Sequence, residues 1–476
     1  MLHTKAIRHT NNGVKREIIF AEFEWLNCWS LHLFLSCLQC FRTDYRHDKS
    51  DGLLLAFKFY KIIFYETFFC MISLFIKIFK GILIFLGSII GLLLLYVLFN
   101  LNIFHRIEPL SKSEIQTYLS QVDSSSPLQY VAEKFDTHSV VFLGEFHKRK
   151  QDLDFFKQII PYLYQTKDIK IIGWEFGAAD YQKMADSVVT ASEFDRAKAI
   201  AIMRNSMYDW CFEDYLDVFK TIWQLNKTIL QDSNKIKFLQ LNKPFAPKRW
   251  NSLNDTVRLN ERKTSFDNIL PLIVEKEVIQ KNKKILIYCG WNHSLTRLQT
   301  PKFFFLKEKE GRAGELLFNK YSTKICQLWL VAPFPPRWWW YKELTNNNNI
   351  KYVYPFEGVF NQLYDTLKKP FFLDAKNAAF ADLKDYNSFY AFDTWSGIKL
   401  KNFCDGAVML APFDKVDPIN IISDWVTTQQ QLEDVKKVLP DEDAKQIQTI
   451  QDLMNYINPT ASQKHTKEIH SLGKFW

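Results

Sequence analysis

The chain has 476 residues, with 61 Lys and Arg against 52 Asp and Glu, 47% hydrophobic residues and 16% aromatic residues. This length accommodates one large α/β domain with appendages or two smaller domains, and the aromatic content excludes a disordered or fibrous chain. Of the net charge of +9, residues 1–80 carry +4 (11 basic against 7 acidic), and beyond Arg106 a further +4 is spread with Lys and Glu interspersed. No basic face or run stands out, so a nucleic-acid partner is set aside.

Between Lys80 and His105 lie 24 residues without a formal charge, Gly81–Phe104. A helix needs about 20 apolar residues to cross a bilayer core of roughly 30 Å, so this run predicts an uncleaved anchor. A signal peptide would have a shorter apolar region ending in small residues, and this one ends in bulky ones. Lys61, Lys77 and Lys80 precede the run, whereas Arg106, Glu108, Lys112 and Glu114 balance after it. The positive-inside rule then predicts a single-pass membrane protein with a cytoplasmic N-terminus and a large extracytoplasmic part. Residues 53–76 are a weaker second span, interrupted by Lys58, Lys61 and Glu66. Met71 opens a natural-looking start, MISLFIKIFKG, which suggests that the first 70 residues precede the true initiation site. Cys37-x-x-Cys40 lacks a partner pair for zinc, and Cys211, Cys289, Cys326 and Cys404 read as buried thiols.

The expected organisation is a cytoplasmic segment 1–80, an anchor 81–104, a linker 105–127, an α/β domain 128–423 and a polar helical tail 424–476. Within the domain, Ser139–Leu143 is a strand stopped by Gly144, and Asp152–Tyr164 is an amphipathic helix. Ile169–Ile172 is a strand stopped by Gly173, and Tyr208–Leu225 is a long helix with Phe212, Tyr215, Phe219 and Ile222 buried. Lys235–Leu241 follows as a strand, Ser265–Lys281 as a helix, and Lys284–Cys289 as a strand stopped by Gly290. Lys324–Leu330 and Gly406–Leu410 are later strands. This alternation predicts a largely parallel sheet with helices on both faces. Ligands of such sheets sit beyond the carboxyl ends of the strands.

Three of these ends share a pattern. Gly144-Glu145-Phe146-His147 follows the first strand, Gly173-Trp174-Glu175 the second, and Gly290-Trp291-Asn292-His293 the fourth. Only three histidines lie between residues 110 and 430, and two of them, His147 and His293, occupy matching G-x-x-H frames. Glu145, His147, Glu175 and His293 are therefore the candidate catalytic residues. Neutral imidazole and carboxylate can hold a divalent ion such as Zn²⁺ or Mn²⁺, with Glu145, His147 and His293 as its ligands. Without metal, a carboxylate-oriented His can activate water as a general base. In the bland alternative, Glu145 and His147 cap the following helix, Glu175 pairs with a lysine and His293 is a turn residue.

The segments FLGEFHKRKQDLDFFKQIIPYL, IIGWEFGAADYQ and ILIYCGWNHS resemble the superfamily that joins erythromycin esterases, ChaN-like haem-binding lipoproteins and Tiki-type metalloproteases. The resemblance covers about residues 130–330. It implies that Glu145, His147, Glu175 and His293 form the site. The G-E-x-H spacing is closer to the ChaN-like and Tiki-like branches than to the G-E-x-x-H of the esterases. Leu241-Asn242 stands where an acidic residue is expected, which weakens a three-carboxylate metal site. Arg258 and Arg262 are candidates to hold an anionic group, and Trp338 and Trp339, in the run PFPPRWWWY, are candidates to line an apolar pocket or rest on the membrane interface. The leading expectation is an anchored extracytoplasmic hydrolase of an ester or amide in a small-molecule or peptide substrate. The alternative is a binding protein for haem or another planar apolar ligand, with His147 or Tyr181 as ligand.

Overall fold

The computed structural model describes residues 49–100, 110–123, 125–244, 265–298, 311–336, 352–391, 396–415, 417 and 419–461. The chain divides into two compact units, Met1–Leu95 and Tyr96–Trp476.

Helix α1 (Lys49–Asn100), most of which belongs to the first unit, runs without a break through the 53–76 segment and most of the expected anchor. Its stretch Tyr60–Tyr96 spans 37 residues, and its apolar 18-residue window, with a mean hydropathy of 2.5, holds no residue buried within the protein. By length and composition it can cross a bilayer, at about 1.5 Å per residue. The remaining expected anchor residues, 101–104, and the first 48 residues lie outside the described residues.

The second unit begins with α2 (Lys112–Leu119), closed at its start by a Ser111–Glu114 capping box. Helix α3 (Pro127–Lys134) follows, with Pro127 in its first turn and the Ser126 side chain accepting from the Gln129 amide. Then come β1 (Val140–Glu145), α4 (Lys150–Lys167), β2 (Ile171–Ala178), α5 (Gln182–Val189), α6 (Arg196–Ser206), α7 (Glu213–Lys227) and β3 (Lys237–Asn242). Helix α8 (Phe266–Val274) continues as a wider turn over Glu275–Ile279 and leads to β4 (Ile285–Gly290), the one-turn α9 (Trp291–Ser294), α10 (Ala313–Tyr321) and β5 (Ile325–Leu330). Helix α11 (Val359–Leu367), β6 (Phe371–Asp374), the small ribbon β7 (Lys384–Asp385) and β8 (Ile398–Lys399), and β9 (Gly406–Met409) complete the sheet region.

The seven-stranded sheet has the order β3-β2-β4-β1-β5-β9-β6. All its pairings are parallel except β6 with β9. This is the largely parallel sheet that the alternation predicted, with one antiparallel edge that the sequence reading did not assign as a strand. Helices α4 and α7 cover one face, where Phe156, Leu163, Phe219 and Ile222 join Trp174 and Tyr288 in a fully buried core. Helices α8 and α10 cover the other face of β1, β3 and β4 through Phe266, Leu270, Val274 and Leu317. A third cluster around Trp329, Phe334 and Phe403 fills the β5–β9–β6 side.

Strand β2 corrects one expectation. Gly173 does not stop it; the strand runs on through Gly177. A Cβ at Gly173 would meet Leu241, Ile285 and Ile287 at 2.8–3.1 Å, so this glycine admits close side-chain packing rather than a turn. Helix α7 likewise starts at Glu213, five residues later than expected, because Phe212 is engaged in a backbone bridge with Ile421. After β9, α12 (Gln429–Lys436), α13 (Asp441–Gln446) and α14 (Ile450–Ala461) form the tail, whose Leu432, Val435, Leu453 and Ile457 are buried in the α4–α7 core. Cys211, Cys289, Cys326 and Cys404 are free and buried.

Candidate active site

Glu145 is the last residue of β1, and Glu175 lies near the end of β2, so the two carboxylates flank β4 in the sheet order. Strand alternation sends them to different faces. Glu145 follows Leu143 onto the side of α4 and α7, whereas Glu175 lies between Trp174 and Phe176, which both belong to that core, and so leaves on the side of α8. Both are almost fully buried, at 1% and 5% exposure.

Each carboxylate meets a histidine. The Glu145 Oε1 accepts a short hydrogen bond from His147 Nδ1. With Nδ1 so occupied, Nε2 is the basic nitrogen of His147. Burial disfavours the charged ring, but the Glu145 carboxylate, aided by Glu175, overrides this and raises its pKa to about 9. Burial in turn pushes Glu145 upward, and His147 counters it. The His147 side chain remains 40% exposed, so this unit opens to solvent. It stands edge-on to Trp210 and Phe176, at 5.1 and 5.6 Å between ring centres, and these two rings stack at 5.0 Å. Lys148 holds a left-handed backbone, φ 69°, and its ammonium lies 4.9 Å from the centre of the Trp210 ring.

The second unit is a chain of four groups. His293, on α9, places Nε2 3.5 Å from Glu175 Oε1 and Nδ1 2.8 Å from Asp267 Oδ1. Asp267, in the first turn of α8, also accepts from Arg312 at 3.1 Å and from the Ala313 amide at 3.0 Å. Burial alone would lower the His293 pKa, but Glu175 and Asp267 raise it. Asp267, though burial pushes it up, is held below its ordinary value by His293 and Arg312.

Gly290 joins the units. Its amide donates to Glu175 Oε2 at 2.6 Å, and a Cβ there would lie 2.7 Å from His147 Cε1. Gly144 does the same for α9: a Cβ would fall 2.5 Å from Ser294 Oγ and 3.1 Å from the Trp291 Cα. The strand-end glycines therefore let side chains and backbone approach closely, and neither has a positive φ.

The structure thus brings Glu145, His147, Glu175 and His293 to one region. It does not favour the bland alternative: α4 has no side-chain cap, since its N-cap is Arg149, and Glu175 bonds Gly290 and His293 in place of a lysine. Asp267, Trp210 and Phe176 were not picked out as site residues from the sequence; an acidic residue in the first turn of the predicted helix after Arg262 was the available signal for Asp267. Arg258, Arg262, Trp338 and Trp339 lie outside the described residues. Tyr181 ends a short turn after β2 and is partly buried. The proposed metal set of Glu145, His147 and His293 does not fit. Glu145 and His147 are turned onto each other and His293 onto Asp267, and among the described residues no three His, Cys, Asp or Glu side chains are disposed around a common ion. Asn242, at the end of β3, adds no carboxylate.

No protein-family model and no curated protein matches the chain. Solved structures do. A succinoglycan biosynthesis protein is 11% identical with a TM-score of 0.41, covering 66% of this chain and 100% of its own. An erythromycin esterase mutant in its open conformation is 10% identical with a TM-score of 0.36, covering 62% and 94%. ChaN of Campylobacter jejuni, with cofacially bound haem, is 14% identical with a TM-score of 0.29, covering 45% and 89%. At these identities the likeness concerns the fold.

Proposed function

We propose that the chain is a membrane-anchored hydrolase that cleaves an ester or amide bond with water activated by His147. The observation that carries this reading is the meeting of two imidazole–carboxylate units at Gly290. Glu145 fixes His147 through Nδ1, so Nε2 takes the proton of the attacking water. His293, held by Asp267 and with its proton affinity raised by Glu175 and Asp267, stabilises the oxyanion that develops on the substrate carbonyl; as the oxyanion collapses and the C–O or C–N bond breaks, His147 gives its proton to the leaving alcohol or amine. In the anchored arrangement α1 crosses the bilayer and the α/β unit faces away from the cytoplasm. A panel of chromogenic esters and peptide amides, assayed with the full chain in detergent, tests the chemistry. Turnover should fall at least about 10²-fold in both Glu145→Gln and His147→Ala; turnover equal to wild type in either variant would sink it. Protease access to the α/β unit in sealed vesicles of known orientation tests the topology.

A second reading, a binding protein for haem or another planar apolar ligand, is favoured by one observation, the half-open imidazole of His147, whose side chain is 40% exposed. Haem titration would then give a visible-region band that is lost in His147→Ala, with no hydrolysis of any probe.

A further inference from the structure

Behind Glu145, away from the half-open His147, lies a set of buried polar groups that the proposed chemistry leaves unused. Arg149 is fully buried and donates from Nη1 to the Val331 carbonyl at 2.6 Å, with Asp152 Oδ1 3.5 Å away. Its other edge, Nε and Nη2, has no partner among the described residues. That edge is the fork of a guanidinium that normally binds two oxygens side by side. Three buried oxygens also lack a hydrogen bond among the described residues: Glu145 Oε2, the Tyr288 hydroxyl, and Asp152 Oδ1, which is met only by the 3.5 Å ion pair with Arg149. Tyr288 stands opposite Leu143 in the β4–β1 register, so its side chain and that of Glu145 leave the same face of neighbouring strands, and Asp152 Oδ2 accepts from the Phe146 amide, next to Glu145 in the chain, at 3.3 Å. The titratable groups facing this neighbourhood are Glu145 from β1, Asp152 from α4, Glu175 from β2, Tyr215 from α7 and Tyr288 from β4, with Arg149 and His147 as the cations beside them.

Five orphaned polar atoms on four buried side chains are not a stable arrangement for direct contacts alone. Buried polar groups that cannot reach one another are bridged by internal water, which needs two to four such partners. We propose that Glu145, Arg149, Asp152 and Tyr288 enclose an internal water site that couples the Arg149 fork to Glu145 Oε2. Glu145 then has both oxygens engaged, Oε1 by His147 and Oε2 by the water, which fixes the plane of the carboxylate and the orientation of the His147 ring. Arg149 and Asp152 are thus positioning residues that act through Glu145. This second clause rests on the hydrolase reading; the water site does not.

A crystal structure of the full chain at a resolution that shows ordered water tests the site. The expected result is at least one water within hydrogen-bond distance of both the Arg149 fork and Glu145 Oε2. A fork bonded directly to either carboxylate, or a region without ordered water, overturns the proposal. The positioning role is read from the downfield proton resonance of His147 Nδ1–H on Glu145. In Arg149→Met/Asp152→Leu, which exchanges the buried pair for apolar groups of similar size, this resonance should shift or broaden while the fold is kept. An unchanged resonance in the folded double variant overturns the positioning role. Should the double variant not fold, Tyr288→Phe removes one wall of the site with little change of shape, and it should displace the water seen in the wild-type crystal; a water left in place there counts against the site as drawn. Failure of every hydrolysis assay would leave the crystallographic outcome intact, so the two readings fail separately.

Discussion

The imidazole of His147 stands in the space that a side chain on Gly290 would take: a Cβ there would lie 2.7 Å from Cε1 and 3.1 Å from Nε2. Gly290 has a φ of −54°, which any residue adopts, so the need for glycine is steric. Gly290→Ala should fold, because the His147 side chain is 40% exposed and can move aside. Displacement of the ring by about 1 Å should lower kcat/KM by about 10²-fold. Steady-state kinetics beside a melting curve checks this; an unaltered rate would mean that His147 does not act from this position.

The His147–Glu145 pair predicts opposite pH trends for stability and activity. The folded-state pKa of His147, about 9, lies above its ordinary value of about 6.5. Folding therefore binds the proton more tightly, so this contribution to stability is complete below about pH 6.5 and fades as pH rises through about 9. In His147→Ala, the loss of stability between those two values should be smaller than in wild type, as followed by denaturant unfolding at each pH. Activity should instead climb on its acid limb, because the base works with Nε2 unprotonated, and fall again as His293 loses the proton that serves the oxyanion. A profile with no limb that rises with pH would count against His147 as the base.

Asp267 holds His293 as well as Arg312 and the Ala313 amide. Asp267→Asn keeps the shape but removes the charge that helps keep His293 protonated. The His293 pKa should fall toward its ordinary value, measurable by the titration of its ring resonances in NMR spectra, and kcat should fall more than KM rises. The alkaline loss of the stability that His293 contributes should move to lower pH in step with its pKa. A kcat equal to that of wild type would leave His293 without an electrostatic role.

The buried Arg149–Asp152 pair should respond unequally to single and double substitution. Removing one partner leaves the other charge uncompensated in the interior, at a cost of about 3–5 kcal/mol. Arg149→Met should therefore destabilise most at alkaline pH. Burial pushes Asp152 up to about 7 even though Arg149 lowers it, so without the cation the carboxyl becomes neutral at a still higher pH and the variant recovers part of the loss as pH falls toward 7. Chemical denaturation at pH 5.5 and pH 8 gives both numbers, and equal losses at the two values would contradict the account. Arg149→Met/Asp152→Leu should lose less than Arg149→Met at pH 8, since no bare charge remains.

The sequence alone was enough to locate the parallel strands β1–β5 and β9 along the chain, because runs such as VVFL and ILIY bury both faces and carry their own signal. It also marked Glu145, His147, Glu175 and His293, since each sits within a few residues of a glycine near a strand end, a local pattern that needs no knowledge of the fold. The antiparallel edge β6 was not legible: Phe371–Asp374 is a four-residue strand whose state depends on β9 beside it. The partners of the four residues were equally hidden. Asp267 reaches His293 across 26 positions and Gly290 reaches Glu175 across 115, distances that only the parallel crossovers close. Asp152 opens a predicted amphipathic helix, and tertiary packing alone decided that it and Arg149 are buried. Local periodicity reports which side of an element is apolar, whereas the meeting of charges from separate strand ends is fixed by sheet order and register, and these arise only when the whole sheet assembles.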